Sequence, residues 1–396
     1  MKRGSKRRSE VGFTLVELMV SLAIGLLIVL ALITLLINVN RNNGEMTKAN
    51  RLIENGRFAL MLLQADVSHA GFWGGFVPQF DDLTLTVAPT DYPTAVPDPC
   101  TWPTSPPATV AAYKTNLVGI AVQGYEIASP VPSPTLSVCA TKVTNPKANT
   151  DVLVVRHLEN ESFNCVPGAS GCGATDGELY FQMDRRCLSA APTVPYVLDT
   201  DKTQLTLLQR AKASANCTTT EMADFRKFVT NLYYVRTYAA TAGDGVPTLM
   251  RSEMSNGVMQ AAQPLIEGVE GFRVEYGIDS SSDSGAPLTG ADFSTAIAWA
   301  STTNKTSPTN RGDGIPDGTY VRCTTVSPCT VDQLANAVAV KLYVLIRSEQ
   351  QTLGYQDTKT YTLGSTTLGP FNDGYKRHLF QQTIRLQNVS SRRETP

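Results

Sequence analysis

A run of twenty residues without Asp, Glu, Lys or Arg, from Leu18 to Ile37, is the strongest hydrophobic signal in the chain. At about 1.5 Å per residue, a helix of this length spans roughly 30 Å, the thickness of the hydrocarbon core of a bilayer. The run therefore predicts a transmembrane helix over 18–37. Five basic residues and one acid precede it within positions 1–12, which predicts a cytoplasmic N-terminus and export of everything that follows the helix.

Helical periodicity continues beyond the apolar run. Apolar residues recur in steps of three and four and predict one buried stripe, formed by Met46, Ala49, Ile53, Gly56, Leu60, Leu63, Val67 and Ala70. Gly71 follows the stripe, where the end of a helix is favoured, so we expect a single helix over 13–70. The pattern leaves one alternative open, a transmembrane anchor and a separate amphipathic helix divided at Asn42-Asn43-Gly44.

The rest of the chain, 71–396, combines short strand patterns with long connections rich in Pro, Gly, Ser and Thr. Continuous or alternating apolar runs predict strands, and the clearest runs lie at 151–155, 272–276, 338–346 and 380–386. The long connections lie at 88–109, 129–135 and 280–318. We expect an α+β fold in which the long N-terminal helix, transmembrane in its first half, packs on a mainly antiparallel β-sheet head with long loops.

Disulfides are predicted for the exported part, because all eight cysteines lie there and none lies in the helix. The short spacings favour the pairs Cys165–Cys172 and Cys323–Cys329, and two further candidate pairs are Cys187–Cys217 and Cys100–Cys139. Free, buried thiols are the alternative for some of these residues. Zinc is not predicted, because no Cys-x-x-Cys occurs and the three histidines, at positions 69, 157 and 378, are scattered.

The apolar helix opens with the sequence Gly12-Phe13-Thr14-Leu15-Val16-Glu17. A charged side chain within a membrane is costly, so Glu17 at the edge of the apolar run predicts a partner inside the membrane or inside an assembly. The segment resembles the class III signal of type IV pilins and type II secretion pseudopilins. That resemblance implies cleavage between Gly12 and Phe13 by a prepilin peptidase and N-methylation of Phe13. It also implies a subunit-assembly role for Glu17, whose carboxylate would meet the new ammonium group of a neighbouring subunit.

Further patches resemble PilW-family minor pilins, and they lie at 54–59, 66–67, 70–74, 266–277 and 373–388. The resemblance implies a low-copy structural subunit of the pilus priming and tip complex, which supports pilus assembly and through it motility, adhesion and DNA uptake. The implied partners are other minor pilins, the major pilin, the prepilin peptidase/N-methyltransferase, the inner-membrane assembly platform and a tip adhesin. The implied location is the inner membrane, with a single pass and a periplasmic head, and then the tip of the pilus.

Two other functions stay open on the sequence alone. A minor pseudopilin of a type II secretion system resembles a minor pilin in both its helix and its strand motif. A membrane-anchored periplasmic enzyme or binding protein would keep its N-terminus uncut and would tolerate Glu17→Ala. Because no Gly-x-Ser-x-Gly elbow, phosphate loop or His-Glu-x-x-His occurs, we predict no catalytic residue, no cofactor and no enzyme activity.

Asp313 and Asp317 lie in a glycine-rich loop and are candidate calcium ligands. The loop lacks the ligand spacing of an EF-hand, so we interpret it as a turn. The chain has a net charge of −1, or −5 once the basic leader is removed, and it has no basic stripe with interleaved aromatic residues. Direct nucleic-acid binding is therefore not predicted. Arg392 and Arg393 are predicted to lie in a solvated C-terminal tail.

Overall fold

The computed structural model describes residues 12, 14–82, 87–102, 107–128, 139, 141–163, 165, 172, 174, 177–183, 196–210, 217–282, 285, 287–288 and 312–394. The chain divides into two compact units, Met1–Arg51 and Leu52–Pro396, and the boundary falls within the first helix, α1 (Leu15–His69). Helix α1 runs without interruption through residues 42–44. The prediction of a single helix is therefore confirmed, and the alternative with a break at these residues is wrong.

The first unit contains the apolar part of α1. By length and composition, α1 is able to cross a membrane. Its large apolar side chains from Leu15 to Val39 are between 44% and 75% exposed in the single chain, and they point in all directions around the helix axis. A helix that is apolar all round is one that has to be buried in lipid or among other helices.

The second unit contains the head. Its described helices are α2 (Pro107–Gly119), α3 (Val331–Ala335) and α4 (Gln387–Ser390). Its first ten described strands are β1 (Val122–Ile127), β2 (Thr150–Leu158), β3 (Tyr180–Met183), β4 (Tyr196–Asp199), β5 (Leu208–Arg210), β6 (Cys217–Met222), β7 (Phe225–Arg236), β8 (Thr248–Ser255), β9 (Val258–Met259) and β10 (Gln263–Glu267). The remaining described strands are β11 (Val269–Ile278), β12 (Ala337–Arg347), β13 (Tyr361–Leu363), β14 (Thr366–Leu368) and β15 (Arg377–Arg385).

The described strands form two main sheets. In the larger sheet the order is β1-β2-β7-β3-β4, and β8 pairs with β7 and also with β9 and β10. The smaller sheet has the order β11-β12-β15. The described strand pairs are antiparallel, including the short pairs β5–β6 and β13–β14. The predicted α+β class with a mainly antiparallel head is confirmed.

One face of α1 packs on the head in the second unit. The buried residues on this face are Leu52, Gly56, Ala59, Leu63 and Val67. The predicted stripe is partly wrong, since Met46 and Ile53 are 63% and 39% exposed. A period of 3.6 residues fits two neighbouring faces of a helix almost equally well, and contact with the sheet decides between them.

Two features of the head differ from the sequence prediction. Helix α2 begins at Pro107, inside the predicted connection 88–109, because a proline is favourable at the first position of a helix although it suggests a loop. Strand β12 is buried on both faces, although its alternating pattern predicts one polar face. Tyr343 and Leu345 on that second face contact a separate apolar cluster that includes Leu363 of β13.

Three disulfides join described residues, at Cys100–Cys139, Cys165–Cys172 and Cys323–Cys329. Their Cα atoms are 5.3, 5.7 and 4.8 Å apart, within the range that a disulfide spans. Cys165–Cys172 and Cys323–Cys329 are the pairs that the short spacings favour, and Cys100–Cys139 is one of the two further candidate pairs. The remaining predicted pair, Cys187–Cys217, includes Cys187, which lies outside the described residues.

Candidate functional site

The N-terminal motif forms a capping box at the start of α1. The N–H and the hydroxyl of Thr14 donate to Glu17 Oε2 at 3.0 and 2.9 Å, and the N–H of Glu17 donates to Thr14 Oγ1 at 3.3 Å. This reciprocal pattern satisfies donors that the first turn of a helix leaves without partners. The sequence analysis missed this role of Glu17, although the spacing Thr-x-x-Glu is its usual signal. Gly12 is exposed, and Phe13 lies outside the described residues.

A second acid of α1, Asp66, is held by the head. His157 Nε2 lies 2.8 Å from Asp66 Oδ1, Asn231 Nδ2 donates to the same oxygen at 2.9 Å, and the Tyr233 hydroxyl donates to Oδ2 at 2.9 Å. These three donors come from β2 and β7, the central strands of the larger sheet. Asp66 therefore fixes both the rotation and the height of α1 on this sheet. The only local signal for this role of Asp66 is the resemblance at 66–67.

His157 faces oxygen atoms on both sides of its ring. Its Nδ1 lies 3.0 Å from the carbonyl oxygen of Leu158, and its Nε2 lies against Asp66. Because only the imidazolium can donate from both nitrogens, this geometry favours the charged ring. Burial lowers the pKa of His157, but the hydrogen bond and the charge of Asp66 outweigh that effect, so the pKa is raised above its usual value.

A close approach of α1 to the smaller sheet depends on Gly56. A Cβ atom at this position would lie 2.1 Å from Cε2 of Phe380 in β15, so only glycine permits the contact. One position earlier, Asn55 Nδ2 donates to the carbonyl oxygen of Glu267 at 3.2 Å. The patch 54–59 therefore contacts residues of the two other regions that resemble PilW proteins, 266–277 and 373–388.

The C-terminal end of α1 is capped by a residue of the region 373–388. Asn388 Nδ2 lies 3.3 Å from each of the carbonyl oxygens of Ser68, His69 and Ala70, and so caps the helix C-terminus. Gly71 follows with a φ of +74°, a conformation that favours glycine. The Trp73 ring then stacks on Phe228 of β7 at 5.3 Å. We call the contact of residues 52–74 with β2, β7, β15 and Asn388 the helix–sheet seam.

Buried ion pairs connect the two sheets. Asp151 of β2 accepts from Arg273 of β11 at 2.8 Å and from Arg322 at 2.6 Å, and its other oxygen accepts from the N–H of Val274 at 2.9 Å. Arg377 of β15 is fully enclosed and contacts three acids, which are Glu270, Asp357 and Asp373. Glu270, Arg273 and Arg377, which lie in the regions that resemble PilW proteins, therefore serve the interior of the head.

The prediction of a solvated C-terminal tail is wrong. Arg393 is only 4% exposed, and it pairs with Asp81 at 2.8 Å and with Asp279 at 3.2 Å. Arg392 lies 3.2 Å from Asp81. Burial raises the pKa of Asp279 to about 6, against the opposing charge of Arg393. The sequence could not show these pairs, because the partners lie more than 100 residues away along the chain.

The loop with the candidate calcium ligands forms turns. Asp317 Oδ2 accepts from the N–H groups of Ser280 and Ser281, both at 2.8 Å, and Asp313 Oδ1 accepts from the N–H of Ile315 at 2.9 Å. Within the described part of the chain, the group of three metal-ligating side chains lies elsewhere, at Asp98, Cys100 and Cys139. Its two cysteines share a disulfide, so their sulfur atoms are not thiolate ligands.

Comparisons with known proteins match both ends of the chain. Residues 7–36 match the family model of the prokaryotic N-terminal methylation motif, and residues 232–388 match that of the type IV pilus-assembly protein W, PilW. A solved structure, a type IV-like pilin from Thermus thermophilus, aligns with 13% identity over 62% of this chain and 81% of that chain, with a TM-score of 0.25. No curated protein matches the chain.

The methylation motif, the apolar helix and the antiparallel head define the class: this chain is a type IV pilin-like protein. Within that class it carries a PilW domain, since residues 232–388 match the PilW family model. The PilW match begins within β7, at Leu232, and ends within α4, at Asn388. It includes three residues of the helix–sheet seam, Tyr233, Phe380 and Asn388.

Proposed function

We propose that this protein is a minor type IV pilin, a low-copy structural subunit of the complex that primes pilus assembly and stays at the tip. The role that we propose is assembly and not catalysis. The observation that carries the proposal is the methylation motif at 7–36, in which Glu17 stands directly before the uncharged run 18–37 of the helix. The PilW domain supports a pilus rather than another filament.

The proposed mechanism begins with cleavage between Gly12 and Phe13 by the prepilin peptidase, which then N-methylates Phe13. Cleavage leaves a new ammonium group at Phe13, beside the apolar helix. Glu17 of one subunit and this ammonium group of a neighbour neutralise each other inside a bundle of helices. The electrostatic attraction of the pair is stronger in that low-dielectric setting than in water. Removal of one partner of a buried pair costs about 3–5 kcal/mol of stability.

The hydrogen-bond partners of the acids support the proposed role of Glu17 in assembly. In the part of the chain that the structure describes, the acids of the seam and of the sheet interior have partners within the head, whereas Glu17 has Thr14 alone. The apolar surface from Leu15 to Val39 is exposed in the single chain and is available for lipid and then for neighbouring subunits. We propose that other minor pilins, the major pilin, the inner-membrane assembly platform and a tip adhesin are those partners.

We propose a single pass through the inner membrane with the N-terminus in the cytoplasm and the head in the periplasm, followed by transfer to the pilus tip. The five basic residues before the apolar run support this orientation. The disulfides of the head fit an oxidising compartment.

Glu17→Gln tests the proposal most sharply, because glutamine at this position keeps the capping box and removes only the charge. We expect the variant to be processed and to stay in the membrane, and its amount in sheared pili to fall at least ten-fold. Glu54→Gln, at an exposed position on the same helix, is the matched control and should enter pili normally. Normal incorporation of Glu17→Gln would refute the assembly role of the charge. Recovery with secretion components and not with pili would instead identify a pseudopilin.

A further inference from the structure

Asp279 directly follows β11 and is completely buried. Its Oδ2 accepts from the N–H of Gly314 at 2.9 Å and from Nη1 of Arg393 at 3.2 Å. Its other oxygen, Oδ1, is also buried and has no hydrogen-bond partner among the described residues. A buried charged group is costly unless all its polar atoms have partners, so the ionised form of Asp279 is only partly satisfied.

Close packing keeps water away from this carboxylate. Loop 312–318 covers Asp279, and a Cβ atom at Gly312 would overlap the carboxylate oxygen Oδ2. The same loop lies against the segment that follows β15, since a Cβ atom at Gly314 would overlap the carbonyl oxygen of Ser390. Glycine at both positions permits this packing, which holds Asp279 between β11, the loop and Arg393.

The positive charge near Asp279 is shared with a second acid. Arg393 pairs with Asp81, of the 3₁₀ turn Gln79–Asp81, at 2.8 Å and with Asp279 at 3.2 Å. Asp81 also contacts Arg392, at 3.2 Å. Asp81 therefore has two arginines, whereas Asp279 has a share of one. We call Asp81, Asp279, Arg392 and Arg393 the arginine clasp.

The other groups around the clasp do not favour the charged form of Asp279. Arg393 also donates to Asn336 Oδ1 at 2.8 Å and to the carbonyl oxygen of Ala335 at 3.2 Å, so its guanidinium group serves four acceptors. The negative charge of Asp313, in loop 312–318, opposes ionisation of Asp279. Further titratable groups in this contact network are Asp317, Tyr92 and Asp332.

A proton fits this site better than a metal ion. Across the described ranges of the chain, the group of three metal-ligating side chains whose donor atoms lie within 4.8 Å of one another is elsewhere, at Asp98, Cys100 and Cys139. A proton needs a single oxygen, and Oδ1 of Asp279 supplies it. Burial raises the pKa of Asp279 to about 6, so the proton is gained in mildly acidic surroundings.

We propose that Asp279 is a pH-sensitive switch, which takes up a proton in mildly acidic surroundings and thereby strengthens the contact of β11 with loop 312–318 and the arginine clasp. Any opening that exposes Asp279 to water returns its pKa to the usual value of about 4, so protonation favours the closed form. The stabilisation is fully present below the pKa of the open form. It is lost as the pH rises through the pKa of the closed form.

The switch acts where the head holds the end of α1. Arg392 donates to the carbonyl oxygen of Gly71, and Asn388 in the same segment caps the last carbonyl oxygens of α1. His157 of the helix–sheet seam responds in the same direction, since its pKa is also raised. Two separate sites therefore strengthen the attachment of the last turns of α1 as the pH falls. These contacts lie within the head and do not depend on the proposed function.

Asp279→Asn tests the proposal in the full chain in detergent, because asparagine has the shape of the protonated carboxyl group and is neutral at every pH. Denaturant unfolding at pH 5 and pH 7 gives the unfolding equilibrium constants of both chains. We expect the constant of the original chain, relative to that of the variant, to be about ten-fold smaller at pH 5 than at pH 7. This ratio cancels the contribution of His157. A ratio that is equal at the two pH values, or that changes in the opposite direction, would overturn the proposal.

Asp244→Asn is the matched control, at an exposed turn of the same head. Hydrogen bonds from backbone N–H groups, that of Val246 first, lower the pKa of Asp244 to about 2. Asp244 is therefore charged at both pH values, and its variant should keep a constant ratio to the original chain. Stabilisation of the original chain by calcium at pH 7, absent in Asp279→Asn, would assign the site to a metal ion and overturn the proposal.

Amide hydrogen exchange of the original chain keeps the test decisive if Asp279→Asn does not fold. The N–H of Gly314 donates to Asp279, and the N–H of Val246 donates to Asp244 Oδ1 at 2.9 Å. We expect the protection factor of the Gly314 amide to rise about ten-fold from pH 7 to pH 5, because its opening exposes Asp279. That of the Val246 amide should stay constant. No change at Gly314, or equal changes at both amides, would overturn the proposal.

Discussion

Two acids on one helix have opposite surroundings. Among the described residues, Glu17 accepts hydrogen bonds from Thr14 alone, three residues away, on a part of α1 whose apolar side chains are exposed on all sides. Asp66 accepts from three side chains that lie more than 90 residues away in sequence, on a helix with one buried face. In the region around Glu17, the apolar side chains and the carboxylate are exposed in the single chain. In the region around Asp66, the carboxylate has its hydrogen-bond donors within the chain.

This difference separates the part of α1 that packs in the head from the part whose surface is exposed in the single chain. The second part of α1 specifies the fold of the head, because its contacts with β2, β7 and β15 are the helix–sheet seam. The first part exposes its apolar side chains from Leu15 to Val39 in the single chain, and in the proposed function these side chains contact lipid and other subunits. Substitutions in the two parts should therefore separate head stability from incorporation into pili.

Asp66→Ala should have the largest effect on head stability. It leaves the charged His157 and the Tyr233 hydroxyl without their acceptor, and removal of one partner from a buried pair costs about 3–5 kcal/mol. Denaturant unfolding of the full chain in detergent, followed by Trp fluorescence, measures it. Glu17→Ala is the comparison across the two regions and should leave the same transition unchanged. An Asp66→Ala transition within about 0.5 kcal/mol of the original would contradict the described seam.

Glycine-to-alanine substitutions should give opposite results in the two regions. Gly56→Ala forces a Cβ against the Phe380 ring and should destabilise the head by about 1–3 kcal/mol. Gly44→Ala meets nothing within 4 Å and should leave head unfolding unchanged, while it raises the local helix preference by up to about 1 kcal/mol. Phe380→Leu should partly rescue Gly56→Ala in a double-mutant cycle. No coupling between positions 56 and 380 would show that they are not in contact.

Replacement of both Cys323 and Cys329 by serine should lower head stability by about 2 kcal/mol. A loop this short gives that value in the chain-entropy model of disulfide stabilisation. The shift in the denaturation midpoint of the full chain measures it, and reduction of the unmodified chain is the control in which the other disulfides open as well. Processing of the N-terminus should stay normal, because the leader and α1 contain no cysteine.

The smallest predicted effect is a dependence of head stability on pH through His157. Its pKa is raised in the folded chain, so the stabilisation is fully present below the unfolded value of about 6.5 and is lost as the pH rises through the folded pKa. We expect a decrease of at most about 1 kcal/mol, the net contribution of one hydrogen bond. Asp66, Glu159 and the ring of His69 are the neighbouring groups. His157→Gln should flatten this profile, and an unchanged profile in that variant would assign the dependence to another group.

The sequence predicts the parts of this molecule that depend on local patterns. Periodicity and short spacing predict the length of α1, the main strands at 151–155 and 338–346, and the disulfides Cys165–Cys172 and Cys323–Cys329. The resemblance at 54–59, 266–277 and 373–388 indicates regions that meet in space, although it does not show how they meet.

Long-range contacts account for what the sequence could not predict. The burial of Arg393 depends on Asp81 and Asp279, and the donors to Asp66 lie on β2 and β7, so neither feature has a local signal. The buried face of α1 is displaced from the predicted stripe for the same reason, because the sheet and not the helix selects it. The position of β15 at the edge of the smaller sheet, among the described strands, can be stated only when the strand order is known.

Mass spectrometry of the N-terminus tests the central claim most directly. The protein is purified from membranes of cells with an active prepilin peptidase, and its terminal peptide is identified. We predict a chain that begins with N-methylated Phe13 and has lost residues 1–12. A chain that keeps the basic leader under these conditions would contradict the assembly role of Glu17 and the pilin function with it.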